Sequence, residues 1–233
     1  MIPLRDDNPS ELKPVLTTTL IVVCTLTFLW QLAHGSQGAQ AVIYSLGLIP
    51  SVLFGIDTLP EELVAVPPIL TIFTSMFLHG GWMHLIGNML YLWIFGDNVE
   101  DAMGHVRFLV FYLTCGVAAA LAQALPDPHS TLPMVGASGA ISGVLGAYLL
   151  LYPHARVLVG IPFGFYLHMT RLPAGVVLAL WFGLQFLSNV LSPPAAGGGV
   201  AFRAHIGGFV AGMVLVALFK RRGFRLMNPL RSS

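Results

Sequence analysis

The sequence predicts an all-α membrane protein, a bundle of six transmembrane helices with a long first outer loop. Three observations predict it. Of 233 residues, 56% are hydrophobic and only 9% are charged, whereas soluble domains carry about 25% charged residues. The mean hydropathy is +0.80. The apolar residues fall into runs near the roughly 20 residues that cross a bilayer, and Lys and Arg gather between alternate runs. A lipid bilayer is the expected surrounding, and no nucleic-acid partner is expected.

Residues 1–14 are polar and carry Pro3, Pro9 and Pro14, which predicts a short, loosely ordered N-terminal tail. The first span runs from Val15 to about Ala33. No small-residue cleavage site follows it, so it reads as a retained span and not a signal peptide. Residues 35–66 form the long connection, with Asp57, Glu61 and Glu62, and Pro60, Pro67 and Pro68 exclude one continuous helix there. The apolar stretch Ile69–Phe95 is interrupted by His79, Gly80 and Gly81. It divides into a short piece, about 69–78, and a second span, about 82–96. Span three covers about 106–125 and ends at the loop Pro126–Pro133. Span four covers about 137–152, with Pro153 beyond it. Val157–Tyr166 is apolar but short and broken by Pro162, so it reads as interfacial or re-entrant. Span five is about 174–191. Pro193, Pro194 and the glycines 197–199 form a loop before span six, about 200–219. The membrane domain is thus 15–219, and 220–233 is a basic tail.

Six spans place both termini on one side, and the basic residues test this. Arg5, Lys13, Arg107, Arg156, Arg171, Lys220, Arg221, Arg222, Arg225 and Arg231 all fall on that side. Arg203 lies within span six. The positive-inside rule then puts both termini in the cytoplasm. Cys24 and Cys115 sit in apolar runs and read as packing residues, not a disulfide or a metal site.

Polar groups within spans are costly and call for a reason. All acidic residues lie in loops or tails, which argues against a proton relay or an ion transporter. Three clusters remain. The first, Gly136-Ala137-Ser138-Gly139-Ala140-Ile141-Ser142-Gly143, sits at the start of span four. A serine between glycines is sterically open, and a helix start offers free N–H groups for a developing oxyanion. Gly139 and Gly143 also form a small-residue packing face, so helix packing is the competing explanation. The second, Ala204-His205-Ile206-Gly207-Gly208, lies near the outer end of span six. A lone histidine could bond across helices; paired with a serine at the same depth, it is a candidate general base. The third runs from His79 to Asn88. His84 and Asn88 are four apart and share a helical face; both can donate hydrogen bonds, which suits an oxyanion site. The spacing of five between His79 and His84, with no acid beside them, disfavours zinc. No metal or organic cofactor is expected.

These residues carry a resemblance. The chain resembles the rhomboid family of intramembrane serine proteases in three motifs on successive spans. They are HxxxN (His84, Asn88), GxSG (Gly136, Ser138, Gly139) and AHxxG (Ala204, His205, Gly208). Gly96-Asp97-Asn98-Val99-Glu100, with Gly104 and Arg107, is similar to the family's turn between spans two and three. The resemblance covers roughly residues 70–219.

The resemblance implies Ser138 as nucleophile and His205 as base. It implies His84, Asn88 and the Ser138 backbone N–H as the oxyanion hole, with the backbone of Gly136 and Gly139 beside substrate and oxyanion. It also implies cleavage of membrane-protein substrates with a helix-destabilised transmembrane segment, entering near spans two and five, with the active site opening to the outer side. Glu100 would hold the turn. The compact form suggests a bacterial cytoplasmic membrane. A noncatalytic relative that binds membrane helices is the alternative; such proteins typically lack the serine or the histidine. Two positions depart from some members. Pro68-Ile69-Leu70-Thr71 stands where those have a Trp-Arg pair, and Ser142 stands where they stack a tyrosine on the histidine. Another side chain must then position His205, or it is held more loosely. Ser142 is itself a rival nucleophile one turn deeper, disfavoured because water and oxyanion donors belong nearer the outer end.

Overall fold

The computed structural model describes residues 1–164, 166–191 and 201–227, without the side chains of 188–190. The expected loop at Pro193, Pro194 and the glycines 197–199, and the basic Arg231, lie outside the described residues.

Nine α-helices, three short 3₁₀ turns and three strands are described. Strand β1 is Ile2–Asp6; helices α1 and α2 are Val15–Ala33 and Gly35–Leu46; α3 is Pro50–Leu53 and α4 Thr71–Thr74. Then come α5 (Trp82–Met103), α6 (His105–Ala124), α7 (Ser138–Leu151), β2 (Arg156–Phe163), β3 (Tyr166–Pro173), α8 (Ala174–Leu191) and α9 (Phe202–Phe219).

Among the described residues, α1, α6 and α9 are each long and apolar enough to cross a membrane. The stretch Glu61–Phe77 with α5 makes a fourth if the pair, bent by 78°, is taken as one span. Helix α7 and the Ala174–Leu187 part of α8 are shorter and apolar. The 14 residues of α7 rise only about 21 Å, short of the roughly 30 Å hydrocarbon core. Its residues from Ala140 to Tyr148 are all buried, so neighbouring helices and not lipid surround it. The connection 35–66 holds α2, α3 and a 3₁₀ turn at Glu61–Leu63.

Glycines set the closest packing, that of α7 on α9. A Cβ on Gly208 would stand 2.0 Å from the Gly139 carbonyl oxygen, and one on Gly212 would stand 2.0 Å from that of Gly143. The backbones touch because nothing stands between them. A different need fixes Gly104, which ends α5 at φ +79° so that α6 can start at the next residue.

Two expectations are corrected. The all-α expectation gives way at a three-stranded antiparallel sheet, β1-β2-β3. The stretch expected to be interfacial or re-entrant is its central strand and hairpin. Phe163 pairs with Tyr166, and Gly164, which follows β2, takes φ +59°, as tight hairpins require. Val157 and Val159 are fully buried on one face of β2, the period of two that marks a strand. The N-terminal segment is not loosely ordered. Ile2 pairs with Gly160 and Asp6 with Val157. Asn8 and Asn98 bond each other, the Asn8 amide to Asn98 Oδ1 at 2.9 Å and the Asn98 amide to the Asn8 carbonyl at 3.1 Å. The partners are over 80 residues distant, so no local pattern announces them.

The same end of the bundle carries a buried acidic pair. Glu100, fully buried, accepts from the backbone N–H groups of Leu16 (2.9 Å) and Thr17 (2.8 Å) and from the Thr17 hydroxyl (2.7 Å). It caps the free first turn of α1 from another helix. Asp101 accepts from the N–H groups of Glu11 and Leu12 and from the Arg221 guanidinium at 3.0 Å. The segments before α1 and after α9 therefore meet on one turn.

Candidate active site

The site lies at the opposite end, where α7 and α9 begin. Ser138 is the first residue of α7, and the helix's first backbone bond runs from Ile141 N–H to the Ala137 carbonyl. The N–H groups of residues 138–140 thus have no partner within their own helix. His205 stands near the start of α9 and is 3% exposed. Its Nε2 lies 2.7 Å from Ser138 Oγ. That distance suits transfer of the hydroxyl proton to the ring.

His84 and Asn88 sit on the first two turns of α5. Gly136 brings them to the serine loop. With φ +124° it adopts a conformation that L side chains avoid. A Cβ there would stand 2.7 Å from His84 Nε2 and 3.6 Å from Asn88 Nδ2. The Gly80 N–H donates to His84 Nδ1 at 3.3 Å. That leaves Nε2 of the neutral ring to carry its proton, on the side facing the serine loop. Asn88 Nδ2 is buried with no hydrogen-bond partner. Two donors, one of them unsatisfied, therefore border the loop that presents Ser138. The structure brings together Ser138, His205, His84, Asn88, Gly136 and Gly139.

The family profile described as the Rhomboid domain matches residues 68–222. The chain belongs to the rhomboid family. It is similar to Rhomboid protease GluP of Bacillus subtilis, 31% identical over 206 residues, which is 88% of this chain and 35% of that protein. It is 30% identical to Rhomboid protein 1, mitochondrial, of Saccharomyces cerevisiae over 149 residues, 62% of this chain and 40% of the relative. With Putative rhomboid protease YdcA of Bacillus subtilis it shares 33% identity over 87 residues, 37% of this chain and 43% of that protein. The chain thus spans less than half the length of these relatives. Family membership and the long apolar helices make it an integral membrane protein.

Several neighbours of this candidate site are set by the fold. Ser142 is fully buried, and its hydroxyl donates to the Ser138 carbonyl at 2.7 Å; it is committed to its own helix. His79 is buried, with its ring 5.2 Å from that of His84. Gln31 clamps its backbone, accepting from the His79 N–H at 3.1 Å and donating to its carbonyl at 3.2 Å. Among the described residues no group of three or more His, Cys, Asp or Glu side chains could hold a metal ion. Beside Ser138 lies a cavity of about 20 Å³ walled by Gly116, Ala119, Gly139, Ala204 and Met76.

One neighbour escapes the sequence. The Trp181 ring of α8 lies against His205, with centroids 5.3 Å apart and planes at 43°. Sequence alone reads Trp181 as an interface anchor or packing residue. Its helix has no polar motif to draw notice. The one available hint is negative, the missing aromatic at position 142.

Proposed function

We propose that this chain is an intramembrane serine endopeptidase, with Ser138 as nucleophile and His205 as its general base. The carrying observation is the 2.7 Å contact between His205 Nε2 and Ser138 Oγ, with the unsatisfied Asn88 amide bordering the loop that presents the serine. As Ser138 Oγ attacks a peptide carbonyl carbon, the hydroxyl proton passes to Nε2. The carbonyl oxygen becomes an oxyanion, received by Asn88 Nδ2–H, His84 Nε2–H and the free N–H groups at the start of α7. Collapse breaks the C–N bond, and His205 returns its proton to the leaving amine. Water, deprotonated by the same ring, then releases the acyl group and restores the serine. No group beyond these side chains and backbone amides is required.

The membrane setting extends the reading. Six helices, α1 and α5–α9, serve as the spans, and both termini face the cytoplasm. The short α7 then leaves Ser138 below the outer surface with a water path from that side. Substrates are membrane proteins whose transmembrane segment is easily unwound, because an intact helix cannot present its peptide bond to Oγ. The small cavity walled by Gly116, Ala119, Gly139 and Ala204 favours a small side chain beside the cleaved bond. Labelling with a fluorophosphonate tests the assignment. Wild type and Ser142→Ala should label, and Ser138→Ala and His205→Ala should not; equal labelling of Ser138→Ala removes the nucleophile. Lack of labelling in wild type, with binding of membrane helices retained, is the outcome of the noncatalytic alternative.

A further inference from the structure

His205 has one bond that orients its ring, the contact to Ser138, and that bond is consumed in the reaction. Its Nδ1 is buried and has no partner among the described residues, so no carboxylate or carbonyl among them fixes rotation about χ2. The neighbouring turn of α7 does not supply a support, because the Ser142 hydroxyl is turned back to the Ser138 carbonyl. What meets the imidazole is the Trp181 ring, 5.3 Å away between centroids. Trp181 is in turn backed by Tyr91 of α5, at 5.6 Å, and Phe182 packs edge-on against Phe209, one turn below His205, at 4.7 Å.

From these contacts we propose that Trp181 is the positioning residue for His205, and that it makes the dyad competent only while α8 is seated. This rests on the reading of Ser138 and His205 as the dyad. Helix α8 is held differently from its neighbours. Its first turns are buried at Ala174, Val177 and Leu178. Beyond them Leu180, Leu184, Leu187 and Leu191 are about half exposed or more. Its inward contacts there are aromatic, Trp181 and Phe182, and the half-exposed Phe186 only flanks Phe202 at 5.4 Å. Flat ring faces slide more readily than the interlocked glycine backbones of α7 and α9. A shift of α8 that widens the space beside α5 withdraws the indole from His205, and the ring can then turn away from Oγ. Reseating of α8 restores the base. The occupancy of the α5–α8 side thereby controls proton transfer through a side chain that touches no proton.

The test compares Trp181→Phe, Trp181→Leu and Trp181→Ala in the full chain, reconstituted in liposomes. Two rates are read: fluorophosphonate labelling, which needs no substrate identity, and cleavage of a fluorogenic peptide bearing a helix-breaking apolar segment. A misplaced base costs on the order of a hundredfold. Leu and Ala should therefore slow labelling by about 10–100-fold and lower kcat with KM nearly unchanged, while Phe, which keeps a ring face, stays within about threefold of wild type. Wild-type labelling in all three variants overturns the proposal. Equal loss in all three, with a fall in unfolding temperature, also overturns it, since the role is then packing alone. Labelling of Ser138→Ala at the wild-type rate overturns the protease reading itself, whatever Trp181 does.

Discussion

The two ends of this bundle bury different groups at their centres, two carboxylates at one and an amide nitrogen with an imidazole at the other. At the end that joins both terminal segments, the buried carboxylates are saturated. Glu100 accepts three hydrogen bonds from the start of α1, and Asp101 binds two backbone N–H groups and Arg221. At the serine end, Asn88 Nδ2 and His205 Nδ1 are buried and unpartnered. An unsatisfied buried donor costs about 1–3 kcal/mol. A fold can tolerate that cost where the missing partner arrives with a substrate. A missing partner alone does not mark a site, since Asn8 Oδ1 and Arg221 Nε at the other end also lack one among the described residues; the serine end differs in that its unmet groups lie beside the Ser138–His205 contact.

The largest expected effect tests the serine end. Ser138→Ala or His205→Ala should lower turnover by at least about 10⁴-fold, as in serine proteases whose catalytic groups act as a unit, while the unfolding temperature stays close to that of wild type. Cleavage of a transmembrane reporter with and without each change measures it. Retained cleavage would mean that the 2.7 Å contact is only a helix-to-helix bond.

Glu100→Ala should show the reverse profile. It strands the buried N–H groups of Leu16 and Thr17, a loss of about 3–5 kcal/mol by analogy with a broken buried ion pair. Unfolding in detergent should occur at clearly lower temperature. The protein that remains folded should label with fluorophosphonate at nearly the wild-type rate. Unchanged stability would remove Glu100 from the scaffold.

Asn88→Ala and His84→Ala probe the donors of the serine end directly. Each should cost about 2.7–4 kcal/mol in the barrier, the usual loss for one oxyanion donor. Deleting the Asn88 amide breaks no bond to that nitrogen, so stability should hold or rise. Slower turnover with unchanged or higher thermal stability is the signature. A parallel loss of both would place Asn88 in the scaffold.

The serine end was the more legible of the two in the sequence, and the contrast explains why. Ser138, His205, His84 and Asn88 each sit in a short local pattern within an apolar run, where a polar residue needs a reason. The glycine faces at 139, 143, 208 and 212 also repeat locally, and they meet backbone to backbone. The scaffold end depends on partners far apart in the chain. Asp6 meets Tyr148, Asn8 meets Asn98, and β1 pairs with β2 across some 150 residues. Pro3 and Pro9 argued locally for disorder, and the tertiary pairing overrode them. Trp181 was missed for the same reason, because its meaning lies in a ring on another helix.

The smallest expected effect sharpens the contrast through pH. Asp6 of β1 is the exception at the scaffold end, a carboxylate with one strong partner, the Tyr148 hydroxyl at 2.6 Å. Burial pushes its pKa up from 3.8 to about 7, and the nearby Asp97 and Asp7 add to the rise, against the opposing bond from Tyr148. In the folded protein Asp6 therefore holds its proton over a range where the unfolded chain has released it. Stability from this group is fully present below about pH 4, declines between about pH 4 and pH 7, and is lost above. Because the group is only half-buried and solvent screens it, the expected span is a few kcal/mol at most, about 2–4. Asp6→Asn should flatten this slope and raise the unfolding temperature at pH 8 more than at pH 4. If wild type and Asp6→Asn show the same pH dependence of unfolding, Asp6 is charged in the fold, as Glu100 and Asp101 are beside their own donors.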